Sequence, residues 1–217
     1  MKKRFWISLL FLTFSLHANA SEMELDHEKI PSDHDSVLRG AEHVVNECTA
    51  CHGLKYIKYT DMLTLGVPKE TVDKWRSFNP VNSRILAEMS EQTAATAFGG
   101  VIPPDLSLMT IAREGGVHYL YSFLIAYSAD PKGGPNPLNP IYPDTLMPDI
   151  LGIATATDDK QRAEIKTKAK EITAFLNWTA DPRAAERKQL GIYVIVYLSI
   201  LTLLLYLWKA QIWRKLA

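Results

Sequence analysis

Residues 48–52 read C-T-A-C-H, which places two cysteines and a histidine next to one another. In a protein that is exported from the cytoplasm, this spacing is typical of a c-type haem attachment site. Two thiols one helical turn apart can both reach the vinyl groups along one porphyrin edge, and the adjacent imidazole then faces the iron. The motif predicts one covalently attached haem c, with Cys48 and Cys51 as the attachment residues and His52 as an axial iron ligand.

Three other uses of these thiols have to be compared with haem attachment. A disulfide between residues three apart would close a small, strained loop, and a zinc site would need further cysteines, of which the chain has none. A redox-active dithiol normally opens a helix, where the helix dipole lowers the thiol pKa. Apolar residues from Val37 to Cys48 recur at helical spacing, with Asp33 or Asp35 as the cap, so the motif should end a helix instead. A redox dithiol remains the alternative.

The sixth iron ligand is predicted to be Met147. It lies in the segment 130–149, which holds six of the twelve prolines of the chain and has no periodic pattern. A long irregular segment in a compact domain usually has a function, and prolines reduce the entropy lost in fixing one side chain. Met89 and Met109 have the spacing of core residues. His118 and His43 are the competing candidates.

Both ends of the chain are predicted to be targeting or anchoring segments. Residues 1–20 combine three early bases, an apolar stretch and an A-N-A cleavage signal, as in a secretory signal peptide; an uncleaved N-terminal anchor is the alternative. Residues 183–217 contain an uncharged run at about 190–208, long enough to span a membrane. We therefore expect an exported domain at 21–182 and a short cytoplasmic tail after the anchor.

Charge is distributed unevenly although the chain has 24 basic and 24 acidic residues. Residues 21–182 carry a net charge of −8, and both ends are basic. The segment 21–35 holds six acids and one lysine, which indicates a solvated or partner-facing arm. An acidic domain argues against nucleic-acid binding and favours a cationic partner, although solubility alone would also explain it.

The hydrophobic pattern predicts an all-α domain with long irregular loops and one C-terminal transmembrane helix. No alternating strand pattern is evident. Helices are expected at about 69–77, 82–97, from residue 105 to 115, 117–128 and 159–178.

Several motifs, in this order along the chain, resemble the cytochrome c1 family of cytochrome bc1 complexes. They are R-G at 39–40, the haem motif continued as G-L-K-Y-I-K-Y-T-D-M to residue 62, I-P-P-D-L-S at 102–107, A-R-E-G-G at 112–116 and Y-P-D-T-L-M-P at 142–148. The single C-terminal anchor agrees with this family, and the short form without large insertions resembles proteobacterial members. The resemblance covers nearly the whole exported part.

The resemblance implies a cytochrome c-like haem domain in the periplasm, anchored in the bacterial inner membrane. Its haem would take an electron from the Rieske iron–sulfur protein and pass it to a soluble or membrane-bound cytochrome c. Cytochrome b would oxidise quinol in the same dimeric complex, a proton-translocating ubiquinol–cytochrome c oxidoreductase. By motif, Cys48 and Cys51 hold the haem, His52 and Met147 are its axial ligands, and Pro104 lies along the haem pocket.

Two positions depart from the family pattern. Many members place an arginine near a haem propionate a few residues before the Pro-Pro pair, and residues 96–100 contain none. Many also have glycine where this chain has Leu146.

Two other protein classes are retained as alternatives: a membrane-tethered cytochrome c that shuttles electrons alone, and a thiol-disulfide enzyme.

Overall fold

The structure is a computed structural model that describes residues 24–216. Its helices are α1 (His34–His43), α2 (Tyr59–Leu65), α3 (Lys69–Arg76), α4 (Glu91–Ala97), α5 (Met109–Ala112), α6 (Gly116–Ile125), α7 (Asp159–Ala180) and α8 (Ala184–Leu216). A π-helical turn, Val44–Cys48, continues α1, and a 3-10 turn covers Ile153–Thr155. Two strands, β1 (Leu54–Lys58) and β2 (Arg84–Ile85), form an antiparallel pair. The predicted fold class, mostly helical with a C-terminal apolar helix, is confirmed.

The centre of the domain is the contact between α1 and α7. Asp33, one of the two predicted candidates, is the N-cap of α1, and its carboxylate accepts a hydrogen bond from the Ser36 amide at 2.9 Å. Its buried face includes Gly40 and Ala41 and packs on the apolar stripe of α7, where Phe175 is fully buried. This contact fixes the direction in which the chain leaves α1 and enters the haem motif.

An ion-pair cluster borders the same contact. The Arg39 Nε lies 2.5 Å from Glu171 Oε1 on α7, and His43 Nε2 lies 3.3 Å from the other oxygen of that carboxylate. The carboxylate raises the pKa of Arg39, mainly through the hydrogen bond between them. Glu171 is buried, and burying an unpaired carboxylate is costly. Arg39 and His43 are the partners that offset this cost.

The expectation of no strands is wrong, and so is the single helix at 82–97. Residues 84–85 are extended because Ile85 pairs with Leu54 and is buried there, and the helix begins only after the Ser90 cap. The helix expected between 105 and 115 is reduced to α5. Helix α6 ends at Ile125, three residues earlier than expected, since Ser128 instead forms a bridge with Leu138.

The segment between α6 and the 3-10 turn is irregular over most of its length, as predicted. Helix α8 is long and apolar enough to cross a membrane by length and composition, with a mean hydropathy of 2.4 in its most apolar window. The predicted span 190–208 lies inside it. The predicted signal peptide lies outside the described residues.

Candidate functional site

One cavity of about 450 Å³ brings together all five site residues predicted from the sequence. Cys48, Cys51, His52, Pro104 and Met147 line it, although Met147 is far from the haem motif in sequence. The rest of the wall is largely apolar and comes from the Pro-Pro segment, α6, the proline-rich loop and α7; it includes Val101, Ile102, Leu106, Leu120, Leu124, Ile150, Leu151, Ile172 and Leu176. Its volume falls in the range of cofactor sites.

The two cysteines are positioned by the end of α1. The π-helical turn closes with the Cys51 and His52 amides both donating to the Cys48 carbonyl, at 3.1 and 2.8 Å. The Thr49 hydroxyl donates to the Val45 carbonyl at 2.6 Å and so fixes one of the two residues between the thiols. π-helical turns are frequent at functional sites, because the extra residue redirects the side chains that follow.

The acidity of Cys48 argues against a redox dithiol. Burial, followed by the neighbouring Glu47 carboxylate, raises the pKa of the Cys48 thiol to about 12. A redox-active cysteine needs a lowered pKa, and it normally lies at a helix N-terminus, whereas Cys48 ends a helix. The two thiols of the motif line one apolar cavity, a placement that suits thioether links to a group bound there.

His52 is held as a neutral imidazole with a defined tautomer. Its Nδ1 lies 2.7 Å from the Pro104 carbonyl oxygen, which can only accept, so Nδ1 carries the proton and the Nε2 lone pair is left for a metal. Burial lowers the pKa of His52, which favours the neutral imidazole. The contribution of Pro104 is therefore its carbonyl as well as its place in the wall.

Met147 enters the cavity from the proline-rich loop. Its amide donates to Thr145 Oγ1 at 3.2 Å, and its carbonyl accepts a hydrogen bond from Tyr127 Oη at 2.8 Å. The competing histidines are elsewhere: His43 contacts Glu171, and His118 packs against His27 with ring centroids 4.8 Å apart. Neither is among the side chains that line the cavity.

Met109 and Arg113 line the cavity although the sequence did not predict them as site residues. Met109, expected to be core, packs against the core but also lines the cavity, so it is a second thioether within the site. Arg113 is an exposed residue that lines the cavity, and it is the one lysine or arginine among the lining side chains in the described part of the chain. Its only sequence signal is its place in the A-R-E-G-G motif.

The residues present fit a haem c. The C-T-A-C-H motif supplies two thiols and an imidazole, and a separate loop supplies a thioether. This is the donor set of a His/Met-ligated haem c, and the apolar wall provides the low-polarity environment of such a haem. Across the described residues, no group of three or more histidine, cysteine or acidic side chains forms a metal-ion cluster.

Comparison with known proteins agrees with this chemistry. The sequence profile of the Cytochrome C1 family matches residues 26–216. Cytochrome c1 of Rhodospirillum rubrum is 27% identical over 84% of this chain and 82% of its own. A mitochondrial cytochrome c1 haem protein of Arabidopsis thaliana is 31% identical over 94% of this chain and 77% of its own.

A third relative carries a different name. The ammonia monooxygenase gamma subunit of Nitrosomonas europaea is 26% identical over 100% of this chain and 99% of its own. The family profile nevertheless matches residues 26–216, which include the C-T-A-C-H motif, the cavity residues and α8. The chain therefore belongs to the cytochrome c1 family, and it is a haem c protein that serves as the electron-transfer subunit of a cytochrome bc1 complex.

Proposed function

We propose that this chain carries one haem c linked through Cys48 and Cys51, with His52 and Met147 as the axial iron ligands. The observation that supports this assignment is the convergence of all four side chains on one apolar cavity. When bound, the haem supplies a one-electron iron couple, and a His/Met ligand pair raises its potential relative to two histidines.

The chain itself positions and shields this centre. The Pro104 carbonyl orients the His52 ring, and the proline-rich loop places the Met147 thioether. The apolar wall limits the access of water, so less solvent has to reorganise when an electron is transferred. Arg113 supplies a positive charge at the cavity for a propionate, in place of the arginine that the sequence lacks before the Pro-Pro pair.

The same proposal includes membrane side and partners. The predicted signal peptide at 1–20 and the anchor at 183–217 would place the domain 21–182 in the periplasm of a bacterial inner membrane. There it would receive electrons from the Rieske iron–sulfur protein beside cytochrome b, in a dimeric and proton-translocating complex, and pass them to a cytochrome c. Membership of the cytochrome c1 family supports this arrangement over a stand-alone shuttle.

The ligand assignment is tested by comparing two methionines of the same cavity. We expect Met147→Leu to remove the thioether-to-iron charge-transfer band and lower the midpoint potential, because the iron loses its sulfur ligand. Met109→Leu should leave both unchanged, since leucine fills similar space. Loss of the band in Met109→Leu alone would transfer the assignment to Met109.

The covalent link is tested separately on denaturing gels. The wild-type band should keep haem-dependent peroxidase staining after acid–acetone extraction, because thioether bonds survive both treatments. Cys48→Ala and Cys51→Ala should each lower the stained amount and the accumulation of the protein. Complete extraction of haem from the wild-type band would contradict attachment.

A further inference from the structure

Tyr127 occupies a position between α6 and the loop that carries Met147. It follows the last residue of α6 by two positions, and its side chain is 5% exposed. Its hydroxyl donates to the Met147 carbonyl at 2.8 Å. A buried side chain therefore contacts the backbone of the predicted ligand residue itself.

The Tyr127 ring is held in place on more than one side. It packs edge-on against Phe123 of α6, with centroids 5.7 Å apart, and it belongs to a small buried cluster with Ile153, Ala156 and Ile165. The Met147 carbonyl oxygen can only accept, so the Tyr127 hydroxyl is the donor of the hydrogen bond between them. The packing of the ring therefore restricts the position of the hydroxyl that donates to Met147.

Other contacts attach the beginning of the loop to the same helix. Ser128 and Leu138 exchange two backbone hydrogen bonds of 3.0 and 2.8 Å. Asn139 is 1% exposed; its amide nitrogen donates to the Phe123 carbonyl at 2.8 Å, and its oxygen accepts from the Ile141 amide at 3.0 Å. These contacts stop short of the ligand position, which lies further along the loop.

The two hydrogen bonds of the Met147 backbone connect it to different parts of the fold. The bond from the Met147 amide to Thr145 stays inside the loop, whereas the bond from Tyr127 connects the loop to the helical framework. The hydrogen bond to the Met147 carbonyl restricts the backbone conformation of Met147. Less conformational entropy is therefore lost when its sulfur binds the iron. Breaking that bond would also leave a carbonyl without its protein donor.

We propose that Tyr127 is a positioning residue that holds Met147 in its ligand position and thereby limits how often the thioether leaves the iron. This inference rests on the proposed assignment of Met147 as the ligand. It assigns no contact between Tyr127 and the haem; the effect is transmitted through the Met147 backbone.

The test measures how fast imidazole binds to the oxidised haem in the full-length protein, purified in its complex. Imidazole can bind only after the thioether has left, so its rate reports the open fraction. We expect Tyr127→Phe to bind imidazole about tenfold faster, which corresponds to about 1.4 kcal/mol. Haem content should be unchanged, because the cysteines and His52 are untouched.

Tyr59→Phe is the matched control. Tyr59 is also buried, at 6% exposed, and its hydroxyl donates to the Trp75 carbonyl at 3.5 Å, but it does not line the cavity. We expect the wild-type imidazole rate in this variant. Equal acceleration in both variants would overturn the proposal, because it would mean general loosening of the domain.

Two further variants complete the test. Unchanged imidazole binding in Tyr127→Phe, with faster binding in Met147→Leu, would reject the role of Tyr127 and keep the ligand assignment. Wild-type behaviour of Met147→Leu would reject both. 3-Fluorotyrosine at position 127 is a stronger donor of similar size, so it should slow imidazole binding; an equal or faster rate would count against the proposal.

Discussion

At the scale of single residues, Gly40 shows why the chain uses a residue without a side chain just before the haem motif. A Cβ built on Gly40 would lie 2.0 Å from the Glu171 carbonyl oxygen and 2.8 Å from the Phe175 Cβ. The closest of these neighbours is α7 backbone, which cannot rotate away. The close approach of α1 and α7, and with it the direction of the haem motif, therefore depends on this glycine.

We predict that Gly40→Ala destabilises the domain by about 3 kcal/mol, at the upper end of the range for overpacking, because two helices must separate. The measurement is the thermal midpoint and the yield of haem-loaded protein. Gly191→Ala is the matched helical control: among residues 24–216, no atom outside the surrounding turn of α8 lies within 4 Å of its added Cβ, so we expect no change in the domain. A normal midpoint in Gly40→Ala would contradict the tight contact.

At this scale, the residues that line the cavity were predictable where they depend on local spacing. The haem motif identifies Cys48, Cys51 and His52 by their order alone, and the run of prolines around Met147 sets that methionine apart. Tyr127 carries no such local signal, and Arg113 has only its place in the A-R-E-G-G motif. The roles proposed for them depend on which segments meet in the folded chain, and a sequence pattern does not report that.

At the scale of elements, the start of α1 depends on a titratable cap. The hydrogen bond from the Ser36 amide, aided by the Ser36 side chain, lowers the pKa of Asp33 below its ordinary value of 3.8. A carboxylate with a lowered pKa in the folded state contributes stability above its unfolded pKa. That contribution is lost as the pH falls through the folded pKa.

We therefore predict that Asp33→Asn matches the wild type in thermal midpoint at neutral pH, because asparagine also caps helices. As the pH falls below 3.8, the ordinary pKa of an aspartate, the wild type should lose stability relative to Asp33→Asn, which has no carboxylate at position 33 to protonate. Asp35→Asn, in the same first turn but not the cap, should follow the wild type. Parallel acid profiles of wild type and Asp33→Asn would refute the role of the cap.

Elements were predictable to the extent that they are long and locally amphipathic. Helices α1 and α7 show their apolar stripes in the sequence, and α8 is identified by hydropathy. The error at 82–97 has a physical reason: Ile85 is buried by pairing with Leu54, from a distant part of the chain, and this contact outweighs local helical preference.

At the scale of the whole molecule, the structure changes the reading of the acidic arm. Its described part is not simply solvated: the Asp26 carboxylate accepts a hydrogen bond from the Glu28 amide at 2.9 Å, Glu28 forms an ion pair with Lys170, and Asp33 caps α1. Removing these acids together would disturb packing as well as charge. A clean test of electrostatic steering must use an acid at the cavity that has no such role.

Asp144 is that acid, because it is exposed and lines the cavity. If the charge of −8 on residues 21–182 steers a basic acceptor, electron transfer to a basic soluble cytochrome c should slow as salt is raised, since the Debye length falls to about 8 Å at about 0.15 M. Asp144→Asn should lower the second-order rate roughly twofold at low ionic strength and weaken its salt dependence. Glu164→Gln removes the same charge from an exposed position on α7 outside the cavity wall, so its rate should stay near the wild type. A rate independent of salt, or equal loss in both variants, would reject local steering and leave docking on the apolar residues around the cavity as the explanation.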